Sequence, residues 1–168
     1  MAGSDGDLLM NICLRKAVKN DIELIFRWRN DPWTVSFSTT RRTVTWEEHV
    51  PWFNKIFADD SRLLYIIESE EKACVGVVRL DKNDESYAVI SIYLLREFTG
   101  RGLGVKAIVK ACAKGFAQWP IDTIHAHIRN DNIASVSAFA KAGFELIKPE
   151  IDCPPDHKEM ALKREKFL

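Results

Sequence analysis

Three glycines stand at alternate positions in Thr99-Gly100-Arg101-Gly102-Leu103-Gly104, between a strand-like apolar run, 87–95, and a long Ala-rich segment of helical pattern. Residue types in that order suit one chemistry. Glycines let a backbone come close to a bulky group and leave its N–H groups uncovered. A helix starting behind them adds free N–H groups and the positive end of its dipole. The turn is therefore a candidate cradle for phosphate oxygens. It is not a P-loop, because no Lys-Ser or Lys-Thr pair follows the last glycine. It fits a dinucleotide fingerprint poorly: Ala107 stands where the third glycine belongs, and Asp122 opens the next apolar run instead of closing it. A tight turn with no ligand is the simpler alternative.

The surrounding pattern sets out the elements that hold this turn. Residues 11–17 alternate as an opening strand. Asn20 or Asp21 caps a helix to about Arg29, with Ile22, Ile25 and Phe26 on one face, and Asn30-Asp31-Pro32 stops it. An irregular stretch, 33–45, leads to a helix capped by Thr45, with Glu48 completing a capping box; Pro51 predicts a late start or a kink. Strands over 62–68, 73–81 and 86–95 follow, joined by turns short enough for antiparallel neighbours. After the glycine turn a helix reaches about Gln118, and a strand covers 121–128. Asn130-Asp131-Asn132 then caps a helix over 133–142, Gly143 ends it, and a strand occupies 144–147. His157–Lys163 returns as a final edge strand. Residues 1–10, rich in Gly and Asp, read as a disordered N-terminal extension, and 11–168 as a single domain.

Composition narrows the function. A chain of 168 residues buries a full core without disulfides or metal. With 24 basic and 24 acidic side chains the formal net charge is zero, which argues against nucleic acid or an anionic membrane as partner. No apolar run approaches the roughly 20 residues of a membrane span, and the start lacks a secretory pattern. Cys13, Cys74, Cys112 and Cys153 are scattered, with no metal-ligand spacing. They read as reduced thiols of a cytoplasmic protein.

Two separated motifs now agree. Arg101-Gly102-Leu103-Gly104 after a strand resembles the pyrophosphate loop of the GNAT superfamily of acyl-CoA N-acyltransferases. Asn130-Asp131-Asn132-Ile133-Ala134-Ser135, followed by Phe139-Ala140-Lys141-Ala142-Gly143-Phe144, is similar to that superfamily's second motif. The resemblance implies an α/β (α+β) fold with a mixed, mostly antiparallel sheet of six to seven strands and about four helices. It implies acetyl-CoA as donor, with no metal. Backbone N–H groups of Thr99, Gly100, Arg101, Gly102, Leu103 and Gly104 would hold the pyrophosphate, with Arg96, Arg101 and Lys106 near phosphate charge. The strand end at Tyr93, Leu94 and Leu95 would pair with the pantetheine arm, and Asn132 and Lys141 would meet the cofactor further along. The chain departs from the family at Thr99, where Gln or Arg is common. It departs more seriously at Phe139, where many members carry a general-acid Tyr, and at Ala88, where many carry a general-base Glu.

The reaction so implied is transfer of acetyl from a thioester to a neutral amine, which needs a proton acceptor, and an oxyanion donor such as the N–H near Leu94. Tyr93 at the strand end, His127 (alternating with His125 on the next strand) and His49 on the capped helix are the candidate proton carriers, with Tyr87 and Asp81 behind them. The N-terminal third is dense in Trp, Arg and Thr, a mix that stacks on flat rings and holds phosphates. Trp28, Arg29, Asn30, Trp33 and, further on, Arg79 are the candidate acceptor-binding residues. Trp-Arg-Asn-Asp followed by Trp-Glu-Glu-His-x-x-Trp-Phe is similar to the GNAT subgroup of pseudaminic-acid biosynthesis, which acetylates the 4-amino group of a nucleotide-linked deoxy-amino sugar. The resemblance thus implies a nucleotide sugar as acceptor, and the chain is expected to act as a monomer or homodimer, the sequence not choosing between them. A protein N-terminal acetyltransferase and a non-catalytic acetyl-CoA-binding module are the alternatives.

Overall fold

The computed structural model describes residues 10–150 and 152–168. Seven strands, β1 (Ile12–Lys16), β2 (Arg62–Ser69), β3 (Cys74–Lys82), β4 (Tyr87–Leu94), β5 (Thr123–Arg129), β6 (Glu145–Ile147) and β7 (His157–Lys163), form one sheet in the order β1-β2-β3-β4-β5-β7-β6. All pairings are antiparallel except β4 with β5. The helices are α1 (Ile22–Arg29), α2 (Pro32–Phe37), α3 (Trp46–Phe57), α4 (Leu103–Gln118), α5 (Ile133–Lys141) and α6 (Arg164–Phe167). The four expected helices are the longer ones; α2 and α6 are short additions.

Alternation along the central strands places apolar side chains on both faces, so each face takes a layer of helices. On one face α4 and α5 bury Leu103, Ile108, Ala111, Phe116 and Phe139 against Val78, Leu80, Ile90, Ile124, Ala126 and Ile128. On the other, α1 and α3 bury Ile25, Phe53 and Ile56 against Leu64, Ile66 and Val77. The capping box at the start of α3 forms as expected, with Thr45 Oγ1 accepting from the Glu48 N–H at 3.2 Å and Glu48 from the Thr45 N–H at 2.8 Å. The helix runs through Pro51 unbroken.

Three expectations need correction. The stretch after Asn30 is not irregular throughout: Asp31 accepts from the Trp33 N–H at 2.9 Å and Pro32 sits in the first turn, so α2 forms. The final strand is not an edge. β7 lies between β5 and β6, and β6 takes the edge. Met10, the last residue of the expected disordered extension, packs against the core, and its carbonyl accepts from Lys106 Nζ at 2.7 Å. The rest of that extension, 1–9, lies outside the described residues.

One break in the sheet matters for function. β4 and β5 pair only from Tyr87 with Thr123 to Val89 with His125, though both strands run on. The far end of β4 stays with β3, where the Leu95 N–H bonds the Val75 carbonyl at 2.8 Å. That approach requires glycine at position 76: a Cβ there would lie 2.2 Å from the Tyr93 carbonyl oxygen. Held on one side only, β4 parts from β5 and opens a cleft.

Candidate active site

The cleft has a volume of about 1050 Å³. Ile90 to Leu94 of β4 and Ala126 to Arg129 of β5 form its two sides. The glycine turn, the start of α4 and α5 close one end, and α1, α2 and α3 close the other.

At the first end, a 3-10 turn at Arg96–Phe98 carries the chain from β4 into the glycines. Gly100 and Gly102 have φ of +75° and +74°, a region that other residues enter only with strain. No atom lies within 4 Å of where a Cβ would stand on either. Gly102 caps α4, and the Lys106 N–H to Gly102 carbonyl bond at 3.4 Å opens the helix. The N–H groups of Leu103, Gly104 and Val105 therefore have no acceptor inside α4. The α4 dipole adds positive potential at the same point. Leu103 is fully buried, whereas Gly104 and Val105 are partly exposed. The strand edge contributes too. Because the Leu95 N–H faces β3, alternation turns the N–H of Leu94 to the open side.

Of the residues expected to hold the donor, Leu94, Thr99, Gly100, Gly102, Leu103, Gly104, Asn132 and Lys141 line the cleft, whereas Leu95 and Arg101 do not. The Leu95 N–H is engaged by Val75, and the Arg101 guanidinium lies 5.9 Å over the Phe98 ring. The Thr99 N–H is also unavailable, bonded to the Arg96 carbonyl at 3.2 Å. Asn132 caps α5 with its Oδ1, which accepts from the Ser135 N–H at 3.2 Å, so its side-chain NH₂ is the part left for a ligand. Lys106 is tied to Met10, and the Arg96 guanidinium sits 5.5 Å over Trp33.

At the second end, Arg29, Trp33 and Arg79 line the cleft; Trp28 and Asn30 do not. Trp28 packs against the α1/α3 core. The Asn30 amide is a strap: its Nδ2 donates to the Val44 carbonyl at 2.9 Å, and its Oδ1 accepts from the Val44 N–H at 2.8 Å. Arg79 lies 2.8 Å from Asp81 and 5.5 Å over Trp52. Among the described residues the cleft lining carries five basic side chains, Arg29, Arg42, Arg79, Arg129 and Lys141, against one acidic, Glu48. Arg42, Arg79 and Arg129 are paired with Glu48, Asp81 and Asp131, so the excess of positive charge rests on Arg29 and Lys141.

The candidate proton carriers separate clearly. Tyr93 points into the second end, its hydroxyl buried with no hydrogen-bond partner. Burial pushes its pKa far up, against the opposing charges of Arg29 and Arg79, so the hydroxyl keeps its proton at neutral pH. His127 lines the cleft from β5, and its buried Nε2 lies 3.6 Å from Glu159 Oε1, which β7 brings alongside. His125 does not reach the cleft; it lies where β4 and β5 still pair. His49 is corrected to a packing role: it is 2 % exposed, bonds the Ile22 carbonyl at 2.8 Å through Nε2, and sits among the rings of Phe26, Trp52 and Phe53. Burial pushes its pKa down, so it is neutral. Of the fainter options, neither Tyr87 nor Asp81 lines the cleft. Ala88 and Phe139 carry no ionisable group, so neither position moves protons, although Phe139 lines the cleft.

Sequence reasoning missed Glu159, which only the β5–β7 register places beside His127. It also missed a grouping of His127, Cys153 and Glu159 whose donor atoms lie within 4.8 Å of one another. Both Glu159 oxygens already accept protein hydrogen bonds, from His125 and the Glu150 N–H.

The family model described as "Acetyltransferase (GNAT) domain" matches residues 11–145. The acetyltransferase PseH of Campylobacter jejuni is 23% identical over 132 residues, covering 79% of this chain and 82% of that protein. A spermidine N-acetyltransferase of Vibrio cholerae, solved with CoA and spermine, superposes with a TM-score of 0.80 at 20% identity, covering 93% of this chain and 97% of that one. The aminoglycoside acetyltransferase AAC(6')-Ib, solved with coenzyme A, superposes at 0.78 and 19% identity over 94% of this chain and 97% of that one. With its phosphate cradle, its splayed sheet and a family match spanning most of its length, the chain belongs to the GNAT acetyltransferases and is an acetyl-CoA-dependent N-acetyltransferase.

Proposed function

We propose that the acceptor is a nucleotide-linked amino-deoxy sugar, acetylated on its 4-amino group by a cytoplasmic enzyme acting as a monomer or homodimer. The observation that carries this is the second end of the cleft. Arg29 and Arg79 supply cations for a diphosphate, and Trp33 and Trp52 supply faces for a flat base. The positive excess left by Arg29 and Lys141 disfavours a polyamine, an aminoglycoside or a basic peptide terminus. The likeness to PseH supports the same acceptor.

In this reading the pyrophosphate of acetyl-CoA lies on the N–H groups at the start of α4, and the pantetheine arm pairs with the open edge of β4. The amine nitrogen attacks the thioester carbon, forming the N–C bond. The Leu94 N–H holds the oxyanion. The C–S bond breaks with its electron pair on sulfur, and the Tyr93 hydroxyl protonates that thiolate. The amine's proton passes to His127. Positioning itself lowers the barrier, by about 7–11 kcal/mol in well-oriented systems. The test is CoA release with UDP-linked amino sugars, spermidine, aminoglycosides and peptides as acceptors. Turnover confined to the sugar nucleotides is expected; preference for a polycation would overturn the acceptor, and acetyl-CoA binding without turnover on any amine would favour a binding module.

A further inference from the structure

We propose that Glu159 is a positioning residue, whose buried carboxylate holds the His127 ring with Nε2 protonated and Nδ1 turned to the cleft to accept the amine proton. The proposal rests on the reading of His127 as proton acceptor given above.

Glu159 is 0 % exposed, in the middle of β7. A buried carboxylate is costly unless its oxygens are satisfied. Here Oε1 faces His125 Nδ1 at 2.8 Å and Oε2 accepts from the Glu150 N–H at 2.7 Å. His125 is itself fixed on its far side, with Nε2 at 2.9 Å from Thr123 Oγ1. The carboxylate is therefore held from two directions. His127 stands close without bonding it: the β5–β7 register sets the two residues directly opposite, and Nε2 stands 3.6 Å from Oε1 with no hydrogen-bond partner of its own. That separation closes to a hydrogen bond with a small turn of the ring. A carboxylate accepts but does not donate, so the bond requires Nε2–H and leaves the lone pair on Nδ1. When Nδ1 takes a proton from the attacking amine, the imidazolium sits against a fixed anion. The proton stays on the imidazole, as in a Ser-His-Asp triad. The other titratable groups facing this ring are His125 on β5, His157 on β7 and Cys153 before β7.

Two measurements test this. In the wild-type protein, imidazole ¹⁵N shifts, assigned with His127→Asn, should show neutral His127 as the Nε2–H tautomer; the Nδ1–H tautomer would overturn the proposal. For kinetics, Glu159→Gln keeps the shape and removes the charge. With whichever amine the enzyme turns over, kcat should fall on the order of tenfold or more while KM for acetyl-CoA is unchanged. The acid limb of the kcat/KM profile should move down by about one pH unit. In a His127→Ala background the same substitution should add no further loss. An unmoved pH profile, or an equal loss without His127, overturns the positioning role. If Glu159→Gln does not fold, the tautomer in the wild-type protein decides alone. Failure of the sugar-nucleotide acceptor leaves these outcomes intact. Undiminished turnover in His127→Ala, by contrast, removes the proton acceptor and this proposal together.

Discussion

The two ends of the cleft are built from different materials. In the proposed reading, the groups that meet the ligand at the donor end are main-chain N–H groups at the start of α4, exposed by Gly100 and Gly102 at positive φ. At the acceptor end they are side chains, Arg29, Trp33, Trp52 and Arg79, from α1, α2, α3 and β3. A backbone cradle needs one short segment in one conformation, and it binds any pyrophosphate the same way. A side-chain pocket needs several remote elements in register, and it is selective because each side chain can change separately.

Tyr93 lies toward the second end, so its loss separates chemistry from donor binding. Tyr93→Phe should reduce kcat by a factor on the order of 10²–10³ while leaving acetyl-CoA affinity unchanged, by steady-state kinetics with calorimetry; undiminished kcat would remove it as the acid. Next in size, Gly102→Val should weaken acetyl-CoA binding by roughly 100-fold, because a β-branched residue resists the left-handed conformation and its Cβ enters the open space of the cradle. Gly104→Ala is the control. Its Cβ would meet Leu94 at 3.7 Å and Ala138 at 4.0 Å, ordinary contacts, so affinity should stay within a few-fold. Equal losses at both positions would show that the cradle is not set by φ.

A smaller effect is expected from Asn30→Ala. It removes the two bonds to Val44 and should cost about 1–2 kcal/mol of stability in denaturant titrations, with acetyl-CoA binding retained. Loss of donor binding would mean that the two ends are not independent. The mildest test is acid. His49 and His157 both belong to the acceptor end, and burial holds both below the usual imidazole range, with Arg129 and His127 adding to the effect on His157. Each is neutral when folded and takes up a proton more readily when unfolded. Their stabilising contribution is therefore present above about pH 6.5 and is lost as the pH falls below it. The glycine turn has no histidine. Hydrogen exchange between pH 7 and 5 should show α1 and α3 losing protection before α4 does; the reverse order would contradict this assignment.

Much of the scaffold was legible because its signals are local. The Thr45–Glu48 capping box, the Asn132 cap, Gly143 at φ +100° and the strand–glycine–helix turn each lie within a few residues, and each forms as expected. The residues expected to hold the donor mostly line the cleft, but local bonds take up two of their N–H groups: Thr99 spends its own on Arg96, and Leu95 on Val75. The acceptor residues were half legible. A composition rich in Trp and Arg marks the region, but it does not say that Arg29 turns into the cleft while Trp28 packs inward and Asn30 straps the loop. Adjacent residues on one helix point in different directions, and which of them meets a ligand depends on what packs against the others.

The sequence by itself determined the order of elements, the phosphate cradle and the family, because these depend on short-range backbone preferences and on spacing along the chain. The tertiary structure decided three further things. It parted β4 from β5, through the close approach of β3 at Gly76. It put β7 inside the sheet and so brought Glu159 opposite His127, across a separation of 32 residues that no local pattern encodes. It also buried His49 and the Tyr93 hydroxyl, the latter with no hydrogen-bond partner. Proton chemistry depends on what lies within a few ångströms of a side chain, and that is fixed by strand register and burial, which arise only when distant segments pack together.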